Sequence, residues 1–399
     1  MLTIDKVYKA SKALDGVVRQ TNLIRSRWIN PSCRKLWLKP ENLQVTGSFK
    51  VRGAAVKIAQ LTEEERQHGV IACSAGNHAQ GVALAAQKLG IPALICMPAG
   101  APISKVEATK ELGAQVKLVP GVYDDAYTEA LRLQKETGMT LIHPFNDEYV
   151  IAGQATVGIE ILNEKSDVDV VFVPIGGGGL CAGVAFAIKT MSPNTKVIGV
   201  QAVGAPSMRD SLEAGEVTRL NNVVTIADGI AVKAPGDLTF ELCQKYVDEV
   251  VTVTEDEICA AILALLERHK MSAEGAGAVA VAAAMFNKYP VEGKNVCCVV
   301  SGGNIDVTIL SRVINRGLVM SGRTVQLLIE LPDRPGSLRC LSEVFVRHNA
   351  NIISLHHERS GENRLVTSCN LRVIIETRDF QHIEEIKQAI SEEGFEIIE

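Results

Sequence analysis

The chain has 399 residues, which is too long for one hydrophobic core of ordinary size, so two or three domains are expected. Its 47% hydrophobic and 22% charged residues are typical of a globular protein. The net charge is -5 and the basic residues are scattered, which argues against a nucleic-acid or membrane surface. The longest Ala/Val-rich stretch, residues 278–286, is too short to span a bilayer.

The ten cysteines show no Cys-x-x-Cys spacing, and several lie inside apolar runs, such as Cys96 and the pair Cys297 and Cys298. They are typical of reduced, buried thiols. The N-terminal residues show no apolar core of a signal peptide. We therefore expect a cytoplasmic protein.

From residue 70 to 310, short apolar strands alternate with amphipathic helices. Three of the predicted helices end at a glycine, at Gly90, Gly113 and Gly138, where a left-handed cap is common. The repeated strand–helix unit predicts an α/β fold with doubly wound, mostly parallel sheets. Ligands are expected at the C-terminal ends of the strands.

Near Gly322 the pattern changes. Residues 324–399 are predicted to form strand, helix, strand, strand, helix and strand, a ferredoxin-like βαββαβ unit. We place the domain boundary at residues 318–324.

A glycine run follows the predicted strand VDVVFVPI and opens a helix. The backbone N–H groups of Gly176, Gly177, Gly178 and Gly179 can close on an anion there, and the helix dipole helps. A dinucleotide is disfavoured because the next strand ends at Gln201 instead of an acidic residue. No Gly-Lys-Ser/Thr of a Walker motif follows either. A single small phosphate fits best, against the alternative of a plain tight turn.

Lys50 lies among small and apolar residues at a predicted helix start, with Arg52 close by. A helix N-terminus lowers the pKa of a lysine, which favours an amine that can bond to an aldehyde cofactor. Taken alone, a solvated surface lysine is the commoner interpretation. A third segment, Ser74–Gly81, follows a strand and opens a helix; its N–H groups could bind a carboxylate, or its polar residues could simply cap the helix.

Four segments, GSFKVRGA (47–54), SAGNHAQG (74–81), GGGGL (176–180) and SGGN (301–304), occur in this order. Together they resemble the fold-type II pyridoxal-phosphate enzymes, and within them the threonine dehydratases (threonine ammonia-lyases). The resemblance covers residues 1–320. It implies a tryptophan synthase β-like catalytic domain of two doubly wound lobes, with a small lobe at 45–145 inserted in the large one.

The resemblance also implies roles for single residues. Lys50 would hold pyridoxal 5'-phosphate covalently and remove the Cα proton of the substrate. Other cofactor contacts would come from Phe49 and Asn77 at the ring, Ser301 at the ring nitrogen, and Gly176, Gly177, Gly178, Gly179 and Leu180 at the phosphate. The substrate carboxylate would meet the loop of Ser74, Ala75, Gly76, Asn77 and His78, although a histidine such as His78 is more often a packed residue than a base.

The implied reaction dehydrates and deaminates L-threonine to 2-oxobutanoate and ammonia through an enamine, with L-serine as a second substrate, in isoleucine biosynthesis or threonine catabolism. Serine dehydratase and a serine racemase-like enzyme are the alternatives, and a non-catalytic amino-acid sensor is a more distant one. Racemases carry a serine where this chain has Ala75. They also carry a carboxylate at the position of Val224 that helps to bind a cation, so no metal is expected here. The resemblance implies that Glu274 lies near the cofactor, and a purely structural role is the alternative.

In the C-terminal unit, PDRPGSL followed by NIISL resembles an ACT domain, a regulatory amino-acid-binding module, at 324–399. Candidate effector contacts are Asp333, Arg334, Gly336, Ser337 and Asn351. The effector would be isoleucine or valine, with a nucleotide as the alternative, and the chain would form a dimer or tetramer. A plain dimerisation module is the other interpretation. The run His356-His357-Glu358 is rejected as a metal site because neighbouring strand residues point to opposite faces.

Overall fold

The computed structural model describes residues 1–358 and 367–398. Contacts along the chain divide it into two units, Met1–Ile309 and Leu310–Glu399. The strands of the first unit are β1 (Ile24–Ser26), β2 (Lys35–Pro40), β3 (Val70–Cys73), β4 (Ala93–Pro98), β5 (Gln115–Val119), β6 (Thr140–Leu141), β7 (Val170–Pro174), β8 (Lys196–Ala202), β9 (Glu249–Val253) and β10 (Asn295–Val300).

The helices of the first unit lie mostly between these strands. They are α1 (Ile4–Ala13), α2 (Lys50–Ala59), α3 (Glu63–His68), α4 (Asn77–Leu89), α5 (Ile103–Glu111), α6 (Tyr123–Thr137), α7 (Glu148–Glu164), α8 (Gly179–Met191), α9 (Ser207–Ala214), α10 (Asp237–Tyr246), α11 (Glu255–Ala264) and α12 (Gly275–Met285). Helix α13 (Val307–Met320) begins just before the division between the units.

Two sheets organise the first unit. The larger has the order β1-β2-β10-β7-β8-β9, and every pair in it is parallel except β1 with β2. The smaller has the order β5-β4-β3-β6 and is parallel throughout. This arrangement confirms the predicted α/β class. The small sheet lies in sequence between β2 and β7, and the exact bounds of a small lobe at 45–145 stay a prediction.

Buried apolar strands and small helical residues form the core. All residues of β7 (VVFVP) and β10 (NVCCVV) are buried, as expected for central parallel strands. Helix α8 approaches α7 so closely that a Cβ added to Gly183 would lie 2.6 Å from the carbonyl oxygen of Ile151. The predicted glycine caps are present, since Gly90 and Gly138 end α4 and α6 in the left-handed conformation. Gly113 also has a positive φ, one residue beyond the cap of α5.

The second unit contains β11 (Thr324–Pro332), α14 (Ser337–Arg347), β12 (Ile352–Glu358), β13 (Ser368–Glu376), α15 (Phe380–Glu392) and β14 (Glu396–Ile397). In the described residues its sheet has the order β12-β13-β11-β14 and is antiparallel. Residues from both helices share one core with the sheet, among them Phe345 and Ile386. The predicted βαββαβ order is confirmed. Nothing is described for residues 359–366, where the predicted third strand begins.

Within the described ranges, none of the helices combines the length and the apolar character needed to cross a bilayer. None of the ten cysteines, all of which lie in the described residues, forms a disulfide, and eight of them are buried.

A buried ion network joins α2 to the rest of the first unit. The fully buried Arg52 donates to Glu41 (2.7 Å, Nε to Oε2) and also pairs with Glu160. Lys39, also fully buried, contacts the same Glu160 carboxylate at 2.5 Å. Burial alone would raise the pKa of Glu41, but the Arg52 guanidinium outweighs burial and holds this pKa below its ordinary value.

Arg52→Ala is expected to destabilise the first unit by about 3–5 kcal/mol, because it leaves the Glu41 carboxylate buried without its cation. Urea unfolding followed by circular dichroism measures the change. The matched control is Arg132→Ala, which removes an exposed arginine paired on the surface of α6 and should leave the unfolding midpoint near that of the unmodified protein. Equal midpoints for the two variants would contradict the assigned role of the network.

Candidate active site

Lys50 is the first residue of α2 and is held in place by the SGGN segment. Ser48 forms a β-bridge with Gly302, and the Phe49 N–H donates to the Ser301 carbonyl at 3.1 Å. The Lys50 side chain is partly buried, and its Nζ donates to the carbonyl of Pro144 at 2.9 Å. The same Nζ lies 5.3 Å from the centre of the Phe49 ring. The amine therefore points into the protein and away from bulk water.

Burial lowers the pKa of Lys50 to about 8, and the carboxylate of Glu274 opposes the shift. The predicted direction was right, but the main cause is loss of water around the ammonium, whereas the prediction relied on the helix N-terminus. Arg52 contributes through the ion network only. Residues two positions apart point to different sides of a helix, and Arg52 faces Glu41 and Glu160.

The glycine run forms the turn between β7 and α8, as predicted. Gly178 adopts a φ of 100°, which favours glycine, and α8 begins at Gly179. Side chains are excluded from this turn, because a Cβ on Gly177 would lie 2.4 Å from the Phe145 ring. The Thr239 hydroxyl donates to the Gly177 carbonyl at 2.6 Å and fixes the outer side of the loop. The loop can therefore present N–H groups of a helix start to a phosphate.

The amine and the glycine loop contact two neighbouring residues of one segment. Lys50 Nζ contacts Pro144, and the neighbouring Phe145 packs against Gly177 and Gly179. One small molecule can therefore reach both. The segment His143–Asn146, which follows β6, was not predicted to belong to the site. Its position at the C-terminal end of a parallel strand was the signal that could have found it.

A chain of three polar side chains crosses the site. The Asn304 amide donates to Asn77 Oδ1 at 2.7 Å, and Asn77 Nδ2 donates to Glu274 Oε1 at 2.6 Å. These contacts fix which way the Asn77 amide faces. Burial, with the nearby Asp228 carboxylate, raises the pKa of Glu274 to about 7. Asn304 is the last residue of SGGN, and its contact with Asn77 was not predicted.

Ser301 is buried at the end of β10, and its hydroxyl donates to the Ala276 carbonyl at 3.2 Å. Leu180 is buried in the first turn of α8.

The loop before α4 contains the predicted substrate residues, which are partly buried except for His78. The Ser74 hydroxyl accepts from the N–H of Gly76 at 3.1 Å, and Ala75 lies between them. His78 is buried, and its Nε2 contacts the carbonyl of Ile142 at 2.8 Å. Burial, with the charge of Lys50, lowers the pKa of His78 to about 3, so this ring is neutral and packed. The same causes lower the pKa of His143 to about 4.

These residues fit pyridoxal phosphate. The glycine loop, which has no room for side chains, can bind the phosphate through its N–H groups. The Lys50 amine can bond to the aldehyde. The Asn77 amide and the Ser301 hydroxyl can pair with the ring hydroxyl and the ring nitrogen. A dinucleotide fits poorly, because the position expected to bind its ribose is Gln201, which is buried. The Gln201 side chain already forms hydrogen bonds with backbone atoms of Ile175, Ala205 and Arg209.

In the second unit, four candidate effector residues lie together and one does not. Asp333, Arg334 and Gly336 lie in the turn between β11 and α14, and Ser337 is the first residue of α14. Asn351 pairs with Glu376, which lies opposite Thr324 at the far end of β11. The nine residues of that strand separate Asn351 from the turn by about 25 Å. Within one chain, the five residues therefore cannot surround one amino acid.

The family model of the pyridoxal-phosphate dependent enzymes matches residues 14–302, and that of the ACT domain matches residues 325–393. An L-threonine ammonia-lyase of Thermotoga maritima is 52% identical over 398 residues, which cover 100% of this chain and 99% of that protein. Among solved structures, the processed form of threonine deaminase isoform 2 from Solanum lycopersicum has a TM-score of 0.74 at 40% identity, covering 78% of this chain and 88% of that one.

Maize serine racemase is also similar, with a TM-score of 0.75 at 36% identity over 80% of this chain and 98% of that one. The resemblance stated from the four motifs is confirmed for the catalytic part of the chain, and the separate ACT resemblance is confirmed for its C-terminal part. The L-threonine ammonia-lyase of Thermotoga maritima is similar to this chain over both parts. The chain belongs to the pyridoxal-phosphate-dependent enzyme family and carries a C-terminal ACT domain.

Proposed function

We propose that the chain is a threonine ammonia-lyase that converts L-threonine into 2-oxobutanoate and ammonia, with L-serine as a poorer substrate. The observation that carries the proposal is the 52% identity, over both units, to a protein named L-threonine ammonia-lyase. The geometry supports it, because the Lys50 amine and the glycine loop flank the same dipeptide, Pro144–Phe145.

Bound pyridoxal phosphate supplies the electron sink that makes the Cα proton of the substrate acidic. Lys50 would hold the cofactor and then, as a free amine, take that proton. Its partly buried position keeps a large share of the amine neutral near pH 8, and only the neutral form accepts a proton.

The surrounding residues would orient the reactants. Asn77, fixed by Asn304 and Glu274, would present its amide to the ring hydroxyl. Ser301 would pair with the ring nitrogen, and a hydroxyl is too weak an acid to keep that nitrogen protonated. By leaving that nitrogen unprotonated, Ser301 would favour loss of the β-hydroxyl group of the substrate. Gly176, Gly177, Gly178, Gly179 and Leu180 would hold the phosphate, and Phe49 would pack beside the ring.

The substrate carboxylate would bind the N–H groups of the turn at Ser74, Ala75, Gly76, Asn77 and His78, where α4 begins. Racemisation needs a second proton donor on the opposite face, and Ala75 has none to give. This residue favours the lyase over the racemase. Serine dehydratase is the nearer rival, since a pocket distinguishes one methyl group by only about 1–3 kcal/mol.

We further propose a catalytic domain at residues 1–320, with its small lobe at 45–145, and a regulatory domain at 324–399 that binds isoleucine or valine. Asp333, Arg334, Gly336 and Ser337 would contact the effector. Asn351 would join them only from a second copy of the chain, which supports a homo-oligomer. The ten cysteines, none of which forms a disulfide in the described residues, support a cytoplasmic location.

The purified protein is expected to release 2-oxobutanoate from L-threonine with a higher kcat/KM than it releases pyruvate from L-serine. A coupled 2-oxo-acid assay measures both. Lys50→Ala should reduce either rate by at least about 10³-fold, the scale of losing a catalytic base. Lys57→Ala, on the same helix, is the matched control and should keep the rate. Faster turnover of serine would transfer the assignment to a serine dehydratase.

Isoleucine is expected to shift the half-saturating threonine concentration roughly 5–150-fold, the range that a coupling of about 1–3 kcal/mol produces. Saturation curves with and without isoleucine, and with valine, measure the shift. Arg334→Ala should remove the response, whereas Arg339→Ala, an exposed residue on α14, should retain it. A wild-type curve unchanged by either amino acid would refute this effector class.

A further inference from the structure

Three side chains of the ACT unit place metal-binding atoms close together. Asp333 lies in the turn after β11, His357 on β12 and Cys369 on β13. One ligand atom from each lies within 4.8 Å of the other two. Within this group, His357 Nε2 and Cys369 Sγ lie 2.9 Å apart.

The register of the sheet explains why these residues meet. His357 lies opposite Leu371, and Cys369 is two residues from Leu371, so both side chains occupy the same face of the β12–β13 pair. Cys369 also lies opposite Leu331 on β11, and Asp333 follows two residues later. Neighbouring strands therefore fix all three positions.

The backbone holds the turn in this place. The Asp333 N–H donates to the carbonyl of Thr367 at 2.9 Å, which ties the turn to the start of β13. The buried Cys369 thiol donates to the Leu331 carbonyl at 3.5 Å. His357 and Asp333 are exposed and Cys369 is buried, so an ion would enter from solvent at the two exposed side chains.

We propose that Asp333, His357 and Cys369 form a binding site for a divalent transition-metal cation of the zinc class. A thiolate, an imidazole and a carboxylate are the three donor types that Zn²⁺ uses in proteins. Mg²⁺ and Ca²⁺ are poor candidates because they prefer six or more oxygen ligands. On binding, the Cys369 S–H bond breaks, its proton passes to solvent and a sulfur–metal bond forms.

Three protein ligands leave a fourth tetrahedral position open. Water fills this position in a resting site, and a carboxylate or amino group of a small molecule can replace it. Asp333 also belongs to the turn proposed for the effector, so the metal and an amino acid would meet at one place. The metal site itself does not depend on the proposed lyase activity.

The test is isothermal titration of the full-length holoenzyme with zinc chloride in a non-chelating buffer. One equivalent per chain is expected to bind. His357→Gln and Cys369→Ser should each weaken this binding by more than ~100-fold. Even a change to a residue that only hydrogen-bonds to a metal ligand lowers metal affinity ~10–100-fold. The matched controls are His356→Gln, the adjacent strand residue, and Cys340→Ser, an exposed cysteine; both should bind as the wild type does.

Cobalt(II) gives a second measurement, because a bound thiolate produces a charge-transfer band in the difference spectrum. The band should appear with the wild type and vanish with Cys369→Ser. His357→Gln changes an exposed side chain and keeps the buried core, so a loss of binding in that variant is not a loss of folding. Absence of binding to the wild type, or equal binding by the wild type, His357→Gln and Cys369→Ser, would overturn the proposal.

Discussion

The proposed chemistry of the first unit depends on the partial burial of one amine, that of Lys50. An ammonium that loses water is destabilised, so the pKa of Lys50 falls to about 8 and the amine becomes a usable nucleophile and base. That position exists because α2 is fixed on both sides. SGGN and Pro144 hold its first residue, while Arg52, on another side of the helix, locks into Glu41 and Glu160. Helix α2 thus carries both the reactive amine of Lys50 and the arginine of the ion network.

The polar groups around that amine orient one another through hydrogen bonds and do not pass a charge along. Asn304 and Glu274 decide how the Asn77 amide faces, and the two histidines nearest to Lys50 are neutral because burial opposes their protonation. Lys50 and Glu274 therefore remain the groups whose protonation changes near neutral pH. The glycine loop adds an anion site, since its helix start offers N–H groups and no side chain.

Much of this could be predicted from the sequence, because the informative signals are local. Helix starts at Lys50, Asn77 and Gly179, and the βαββαβ order of the second unit, follow from periodicity and glycine placement. Contacts between distant segments carry no local signal. Asn304 meets Asn77 across 227 residues, and Phe145 closes on the glycine loop only after two sheets have formed. For the same reason, the contact of His357 with Cys369 could not be predicted, because the two residues lie on different strands.

The central claim is that Lys50 is the amine that captures the cofactor, and the most direct measurement is its modification as a function of pH. Cofactor-free protein is mixed briefly with pyridoxal phosphate between pH 6 and pH 11. The linkage is reduced with borohydride, and the modified peptide is quantified by mass spectrometry. The account predicts modification at Lys50, rising with pH through a midpoint near 8, because the neutral amine reacts. Modification mainly at another lysine, or a midpoint at Lys50 near the ordinary lysine value of about 10.4, would contradict it.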